Sequence, residues 1–93
     1  MGALVKEAEV EKYFCWKVEM AGGKTWKFTS PANRGVPDRI AVLPDGKVWF
    51  VELKTRGGKL SELQKQFARD AKSLNLNYDV LWSKEQVDTW LGS

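Results

Sequence analysis

The sequence predicts an α/β fold in which a small mixed β-sheet is flanked by helices, with elements in the order αβββαβα. An amphipathic stretch ends at Gly22-Gly23, two apolar runs flank a tight turn at residues 44–46, and a second amphipathic stretch precedes a last apolar run. The tight turn predicts antiparallel neighbours, and the helical crossover lets the following strand lie parallel. The chain has 93 residues, which is the size of one small domain, so we expect residues 1–93 to form a single domain.

The first helix is predicted from apolar side chains that share one side at helical spacing. They are Val10, Tyr13, Phe14, Val18 and Ala21. Gly22-Gly23 ends this helix, as glycine does at helix C-termini. Residues 25–29 alternate and carry two aromatic side chains, which indicates a short strand, and residues 30–37 have the composition of a loop.

The central hairpin is predicted from two apolar runs at residues 38–43 and 47–54, separated by Pro44-Asp45-Gly46. Alternation in the second run places two sets of side chains on opposite faces. One face carries Trp49, Val51 and Leu53, and the other carries Val48, Phe50 and Glu52.

The C-terminal part is predicted to be helix, strand and helix. Ser61 is the expected N-cap of a second helix. Its apolar stripe consists of Leu63, Phe67, Ala71 and Leu74. Residues 78–82 form the fourth predicted strand, and Ser83 caps a short helix over residues 84–91.

Composition excludes several classes of site. The chain has no histidine and one cysteine, Cys15, so His-based zinc sites, His-dependent nucleophilic catalysis and an intrachain disulfide are all excluded. Any metal must be held by oxygen, which favours Mg²⁺ or Mn²⁺. The net charge of +3 is compatible with a polyanionic partner. No apolar run approaches the roughly 20 residues of a membrane span, and no signal-peptide core is present, so we expect a cytoplasmic protein.

Asp38, Glu52 and Lys54 are the candidate catalytic residues. The hairpin brings the start of one strand, at Asp38, beside the end of the next, where Glu52 and Lys54 share a face. Two carboxylates suit a divalent metal that polarises a phosphate and acidifies a water, and the Leu53 backbone carbonyl is a further candidate ligand. Lys54 suits stabilisation of charge on the phosphate or positioning of the water. A turn aspartate or a strand-end lysine alone is ordinary, but Glu52 continues an otherwise apolar face.

The segments around these residues resemble the PD-(D/E)xK nuclease signature, and more narrowly the VRR-NUC (virus-type replication–repair nuclease) domain in its small stand-alone phage forms. The signature is matched by residues 35–40 (GVPDRI) and 50–54 (FVELK). Other matching segments are Gly22-Gly23, Lys27-Phe28, Asn33-Arg34-Gly35 and residues 61–64 (SELQ). The resemblance spans roughly residues 5 to 90.

This resemblance implies a restriction-endonuclease-like core, Mg²⁺ or Mn²⁺ dependence, cleavage of branched or structured DNA such as Holliday junctions or flaps, and a homodimer. It also implies a metal-binding glutamate on the first helix, either Glu7 or Glu11. Glu7 is preferred because it lies about 60° from the centre of the apolar side, against about 100° for Glu11. Gln64 matches the family's glutamine, with an implied role at the metal water or the phosphate.

A basic rim around the site is expected to contact DNA phosphates. Its predicted members are Lys27, Asn33, Arg34, Arg39, Arg56 and Lys59. Lys17 falls on the apolar side of the first helix, where it either extends to solvent or reaches the site. Trp49 and Trp82 are expected to be packed, with stacking on an unpaired base as the alternative. The competing functional hypotheses are a non-catalytic DNA-binding module and an adaptor on the same fold.

Overall fold

The computed structural model describes residues 5–92, and its seven elements follow the predicted order. The helices are α1 (Glu7–Met20), α2 (Glu62–Ser73) and α3 (Lys84–Trp90). The strands are β1 (Lys24–Lys27), β2 (Arg39–Val42), β3 (Val48–Leu53) and β4 (Tyr78–Leu81). No helix within residues 5–92 is long and apolar enough to cross a membrane.

The four strands form one mixed sheet in the order β1-β2-β3-β4. The hairpin pairs β2 with β3 antiparallel, with Ile40 opposite Phe50. The pairing of β3 with β4 is parallel, with Phe50 beside Tyr78. Both arrangements confirm the sequence-based prediction. The end of β3, the end of β4 and the beginning of β2 therefore meet at one edge of the sheet.

One face of the sheet packs against α1 and α3 to form the main core. Its buried members are Val10, Phe14, Val18, Ala41, Val51, Leu53, Leu81 and Val87. The α1 residues recur every four positions, so they form one stripe along the helix. Full burial of each such side chain contributes roughly 1.5–3 kcal/mol. This packing fixes the orientation of α1 across the sheet.

The predicted apolar side of α1 is correct except at its end. Ala21 is exposed because the helix stops at Met20 and the chain turns at Gly22, whose φ is +88°. Gly23 then passes close to β2: a Cβ at this position would lie 2.5 Å from the carbonyl oxygen of Val42. The glycine pair is thus required for the turn and for the close approach.

The opposite face of the sheet is covered by α2, through aromatic contacts. Phe67 lies with ring centroids 6.4 Å from Phe50 and 5.5 Å from Tyr78. The predicted stripe is only partly buried. Ala71 is buried, whereas Leu63 is 55% exposed and Leu74 is 78% exposed. Leu74 lies beyond the last helical residue and Leu63 in the first turn, so only the middle of α2 packs on the sheet.

Candidate active site

Asp38 lies immediately before β2, where its backbone and side chain bind two different strands. Its carbonyl accepts a hydrogen bond from the Phe28 amide at 2.8 Å, which extends the pairing of β1 with β2. Its Oδ2 accepts a hydrogen bond from the Leu53 amide at 2.9 Å. Because the β2–β3 register begins at Arg39 opposite Val51, Leu53 lies beyond the start of β2. The Asp38 side chain therefore takes the place of a strand carbonyl and is held at the end of β3.

Glu52 is the one charged residue among residues 5–92 that is buried, with 2% of its surface exposed. Its Oε2 accepts a hydrogen bond from Nε2 of Gln64 at 3.0 Å and lies 4.0 Å from Nζ of Lys54. Burial raises the pKa of Glu52 to about 8, helped by the charge and hydrogen-bond contact of Asp38 and opposed by Lys54. The two carboxyl groups are thus in contact, and one lysine only partly compensates them.

Lys54 follows β3 and points to the same face of the sheet as Glu52, two residues earlier. Its side chain is 17% exposed, so the ammonium is held close to the carboxylates. Its backbone amide donates to the Leu81 carbonyl at 3.0 Å, which fastens the end of β3 to β4. The amide and the carbonyl of one strand residue point to the same side of the strand. The Leu53 amide is bound to Asp38, so the Leu53 carbonyl also points to the Asp38 side of β3.

Gln64 joins the candidate site to the start of α2. Ser61 and Gln64 form a capping box: Oγ of Ser61 accepts from the Gln64 amide, and Oε1 of Gln64 accepts from the Ser61 amide at 2.8 Å. The remaining side-chain group of Gln64, Nε2, donates to Glu52. The structure therefore brings Gln64 to the two carboxylates, in contact with Glu52 rather than Asp38.

The loop before Asp38 is packed directly against the first turn of α2. Gly35 is buried there, and a Cβ on it would lie 2.4 Å from the carbonyl oxygen of Leu63. A side chain at this position would separate the loop from the helix. Gly35 therefore keeps Asp38 and Gln64, which lie on the two sides of this contact, at a fixed spacing.

Glu7 and Glu11 on α1 have different surroundings. Glu7 is exposed and close enough to contribute to the raised pKa of Glu52. Within residues 5–92, however, no three Asp, Glu, Cys or His side chains form a group able to hold a metal, so Glu7 does not complete a trio with Asp38 and Glu52 in this conformation. Lys17 forms an ion pair with Asp88 of α3 at 3.4 Å, which places its ammonium against α3.

Glu11 is engaged by two residues of the predicted rim. Its Oε2 accepts a hydrogen bond from Nε of Arg39 at 2.9 Å and lies 3.9 Å from Nζ of Lys27. The Arg39 side chain is only 17% exposed, whereas that of Lys27 is 66% exposed. Arg39 thus joins β2 to α1, and the pair with Glu11 was not anticipated from the sequence because its members are 28 positions apart.

The other predicted rim residues are exposed, and none forms an ion pair within the part of the chain that the structure describes. They are Asn33, Arg34, Arg56 and Lys59. The first two belong to the loop that packs on α2, and the last two follow Lys54. Exposed side chains on segments next to the site remain candidates for phosphate contacts.

Tyr78 is a residue of the site face that the sequence analysis missed. It opens β4 beside Phe50, and burial together with the charge of Glu52 raises its pKa to about 12. The phenol therefore stays neutral behind the carboxylates. The parallel alignment of residues 78–82 with β3 was the available signal, since it places Tyr78 on the same face as Phe50 and Glu52.

The donor set at this site fits a hard divalent cation. Asp38 and Glu52 offer carboxylate oxygens, and the carbonyl of Leu53, the residue directly after Glu52, is a further oxygen donor. Two contacting carboxyl groups at a buried position are costly unless positive charge compensates them, and a bound cation would favour the ionised form of Glu52. The residues present therefore fit Mg²⁺ or Mn²⁺.

Comparison with known proteins identifies the class. No family model matches the sequence. A solved structure described as "VRR_NUC domain" matches with a TM-score of 0.87 and 31% identity, covering 95% of this chain and 96% of that chain. The chain therefore belongs to the VRR-NUC domain family, which confirms the resemblance and the fold inferred from the sequence.

A phage relative has also been described. The chain is 46% identical over 61 residues to a protein described as "Putative nuclease p44" of Acyrthosiphon pisum secondary endosymbiont phage 1. This alignment covers 66% of this chain and 66% of that protein, slightly less than two thirds of the relative.

Proposed function

We propose that this protein is a metal-dependent endonuclease that hydrolyses phosphodiester bonds in branched or structured DNA and works as a homodimer. Membership of the VRR-NUC family and the phage relative described as a nuclease support the general activity. The observation that carries the proposal is the contact of the Asp38 carboxyl group with the buried carboxyl group of Glu52, with Lys54 4.0 Å from Glu52. A merely structural role gives no reason to place a second carboxyl group against a buried one.

Each residue of the candidate site has a separate role in this proposal. Asp38, Glu52 and the Leu53 carbonyl would hold Mg²⁺ or Mn²⁺, which when bound supplies Lewis-acid polarisation of the phosphate and a more acidic water. Lys54 places its ammonium beside the carboxylates, where it stabilises negative charge that develops on the phosphate oxygens. Gln64 holds the Glu52 carboxylate by its hydrogen bond, and Glu7, whose charge acts on Glu52, is the first-helix carboxylate that we propose as a further ligand.

The substrate and the assembly are inferred from the surface. Exposed cationic side chains on the segments flanking the site, including Arg34, Arg56 and Lys59, suit phosphates on both sides of the scissile bond. Trp16 and Trp26 are each 53% exposed and Met20 is 68% exposed. Apolar surface of this kind supports burial against a second copy. Two active sites in one dimer would allow paired cuts in opposing strands of a junction.

Cleavage assays test the proposal. A labelled four-way junction, a flap and a plain duplex are incubated with wild-type protein in EDTA, Mg²⁺ or Mn²⁺, and the oligomeric state is measured by light scattering. We expect metal-dependent cutting that favours the junction or flap. Asp38→Asn should lower the rate at least about a hundredfold, because a charge worth several kcal/mol in the transition state is removed.

The asparagine variant is a sharp test because its Oδ1 can still accept the hydrogen bond from the Leu53 amide, so the fold is retained. Glu19→Gln, an exposed change near the distal end of α1, is the matched control and should cut like the wild type. Normal cleavage by Asp38→Asn contradicts the assigned site. Metal-independent DNA binding with no cleavage under any condition would instead favour the non-catalytic module, and a failure to bind either metal or DNA would favour the adaptor.

A further inference from the structure

A groove of about 480 Å³ is lined by Val5, residues 55–56 and residues 82–85. Two of its walls are the segments that follow β3 and β4, which are parallel neighbours and end at the same edge of the sheet. Lys54 directly precedes the first wall, and Glu7 lies two residues after Val5. The groove therefore lies at the same edge of the sheet as the candidate active site.

Trp82 is the aromatic residue of this groove, and it differs from the other strand tryptophan. Trp49 packs edge-on against Trp90, with ring centroids 5.7 Å apart, as part of the core. Trp82 directly follows β4, is half-buried and lines the groove. Its backbone amide donates to Oε1 of Gln86 at 2.9 Å, which holds the residue in place at the start of α3. The structure thus separates two tryptophans that the sequence left equivalent.

The remaining lining supplies positive charge and hydroxyl groups. Arg56 is exposed, and within the described chain it forms no ion pair. Lys84 also lines the groove, and its ammonium lies 5.7 Å from the ring centroid of Tyr13. Thr55 contributes a hydroxyl. Glu85 is the one carboxylate in the lining, so cations predominate.

We infer that this groove binds one unpaired nucleotide of DNA next to the scissile phosphate, with the base stacked on Trp82 and a phosphate against Arg56. An indole beside a guanidinium is the combination that binds single-stranded nucleic acid. The groove volume falls in the range of roughly 300–1,000 Å³ typical of sites for small molecules. An interior base pair has neighbours on both faces and only a terminal pair has a free one, so a groove that holds a single nucleotide fits an unpaired base.

The inference rests on the proposed nuclease function and specifies its substrate as DNA that carries an unpaired nucleotide at the cleavage site. Its test avoids cleavage altogether. Binding is measured by fluorescence anisotropy in EDTA with two duplexes, identical except that one carries a short single-stranded extension containing 2-aminopurine. Both polarities of the extension are used.

Wild-type protein should bind one of the extended duplexes roughly five- to a hundredfold more tightly than the blunt duplex, as one stacked base allows. The 2-aminopurine emission should fall on binding. Trp82→Leu keeps apolar bulk but removes the aromatic ring, so it should bind both duplexes alike and leave the emission unchanged. Trp82→Phe should restore part of the preference. Leu74→Ala, at an apolar residue beyond α2 that is 78% exposed and outside the groove, should behave like the wild type.

The inference is overturned if wild-type protein shows no preference for either extension, including the case in which it binds neither duplex. It is also overturned if Trp82→Leu, folded by circular dichroism, retains the full preference, or if Leu74→Ala loses it equally. If the protein cleaves DNA in a metal-dependent way but shows no preference for an extended duplex, the nuclease function is supported and only the nucleotide-binding groove is contradicted. A preference without any metal-dependent cleavage would support the groove and contradict the nuclease function.

Discussion

Gln64 donates a hydrogen bond from Nε2 to Oε2 of Glu52 across 3.0 Å, while its Oε1 accepts from the Ser61 amide at 2.8 Å. One side chain therefore closes the capping box of α2 and also holds the buried carboxylate of the candidate site. The position of α2 along the sheet sets where the Glu52 carboxylate lies. Stability of the helix start and geometry of the site are thus coupled through a single amide.

Gln64→Ala is expected to reduce both stability and activity. Loss of the cap costs about 0.5–2 kcal/mol, and loss of the hydrogen bond to Glu52 should lower the cleavage rate about ten- to a hundredfold. Thermal melting and single-turnover cleavage measure the two effects. Ser61→Ala is the control, because it removes the cap and keeps the contact with Glu52. If both variants lose rate equally when fully folded, Gln64 acts only through the helix.

The buried Glu52 predicts that metal-free protein loses stability as the pH rises. Its pKa lies at about 8 in the folded chain, against an ordinary value of 4.5. Between these values the folded state holds a proton that the unfolded state has released, so the free energy of unfolding falls with pH by at most about 1.4 kcal/mol per unit. The contribution is present in full below pH 4.5 and lost by pH 8.

Urea unfolding in EDTA across pH 5–8.5 measures this slope. Glu52→Gln should remove most of it, since the amide does not titrate. Added Mn²⁺ should oppose the loss at high pH, because a metal ligand must be ionised and binding then stabilises the folded state. Equal pH slopes in wild type and Glu52→Gln would show that another group is responsible.

Gly35→Ala is expected to disturb the contact between the loop before Asp38 and the start of α2. Its Cβ would lie 2.4 Å from the backbone carbonyl oxygen of Leu63, which cannot move without the helix. We expect a loss of roughly 1–3 kcal/mol in the free energy of unfolding and reduced cleavage even where the protein is folded. Ala32→Ser, an exposed change in the same loop, should have little effect on either measurement. If Gly35→Ala is as stable as the wild type, the loop shifts to relieve the contact.

Replacement of Arg39 by glutamine is expected to lower stability, whereas replacement of Arg34 is expected to weaken DNA binding. Arg39→Gln removes the hydrogen bond to Glu11 at 2.9 Å and should cost roughly 1.5–3 kcal/mol of stability. Arg34→Gln should leave stability unchanged, weaken DNA binding and reduce the salt dependence of the binding constant by about one unit of slope. Melting curves and salt titrations of binding separate the two. If Arg39→Gln reduces the salt dependence of the binding constant without loss of stability, Arg39 contacts DNA instead.

The order of elements and the position of the carboxylate pair were predictable because they depend on local features. The hairpin is closed by a three-residue turn, so the antiparallel pairing of β2 with β3 is nearly dictated once Asp45 and Gly46 are read as a turn. That pairing brings Asp38 to the end of β3, and strand alternation puts Glu52 and Lys54 on one face. The hydrogen bond between Asp38 and Leu53 and the ion pair between Lys54 and Glu52 follow from this geometry.

The apolar stripe of α2 shows where local reasoning stops. Leu63 and Leu74 share the periodicity of Phe67 and Ala71, yet both are exposed because only the middle of α2 packs on the sheet. Periodicity identifies which side of a helix is apolar, whereas the length that is buried depends on the partner surface. The sequence of α2 contains no information about the width of that surface.

The sequence by itself determined the fold class, the hairpin and the convergence of Asp38, Glu52 and Lys54, because short-range turn geometry and strand alternation are sufficient for each. Only the tertiary structure decided that Gln64 binds Glu52, that Glu11 is held by Arg39, and that Trp82 lines a groove while Trp49 is packed. These pairs join elements that are distant in sequence. Their contacts depend on the angles and spacings at which whole helices pack on the sheet, and those follow from the summed packing of the core rather than from any local pattern.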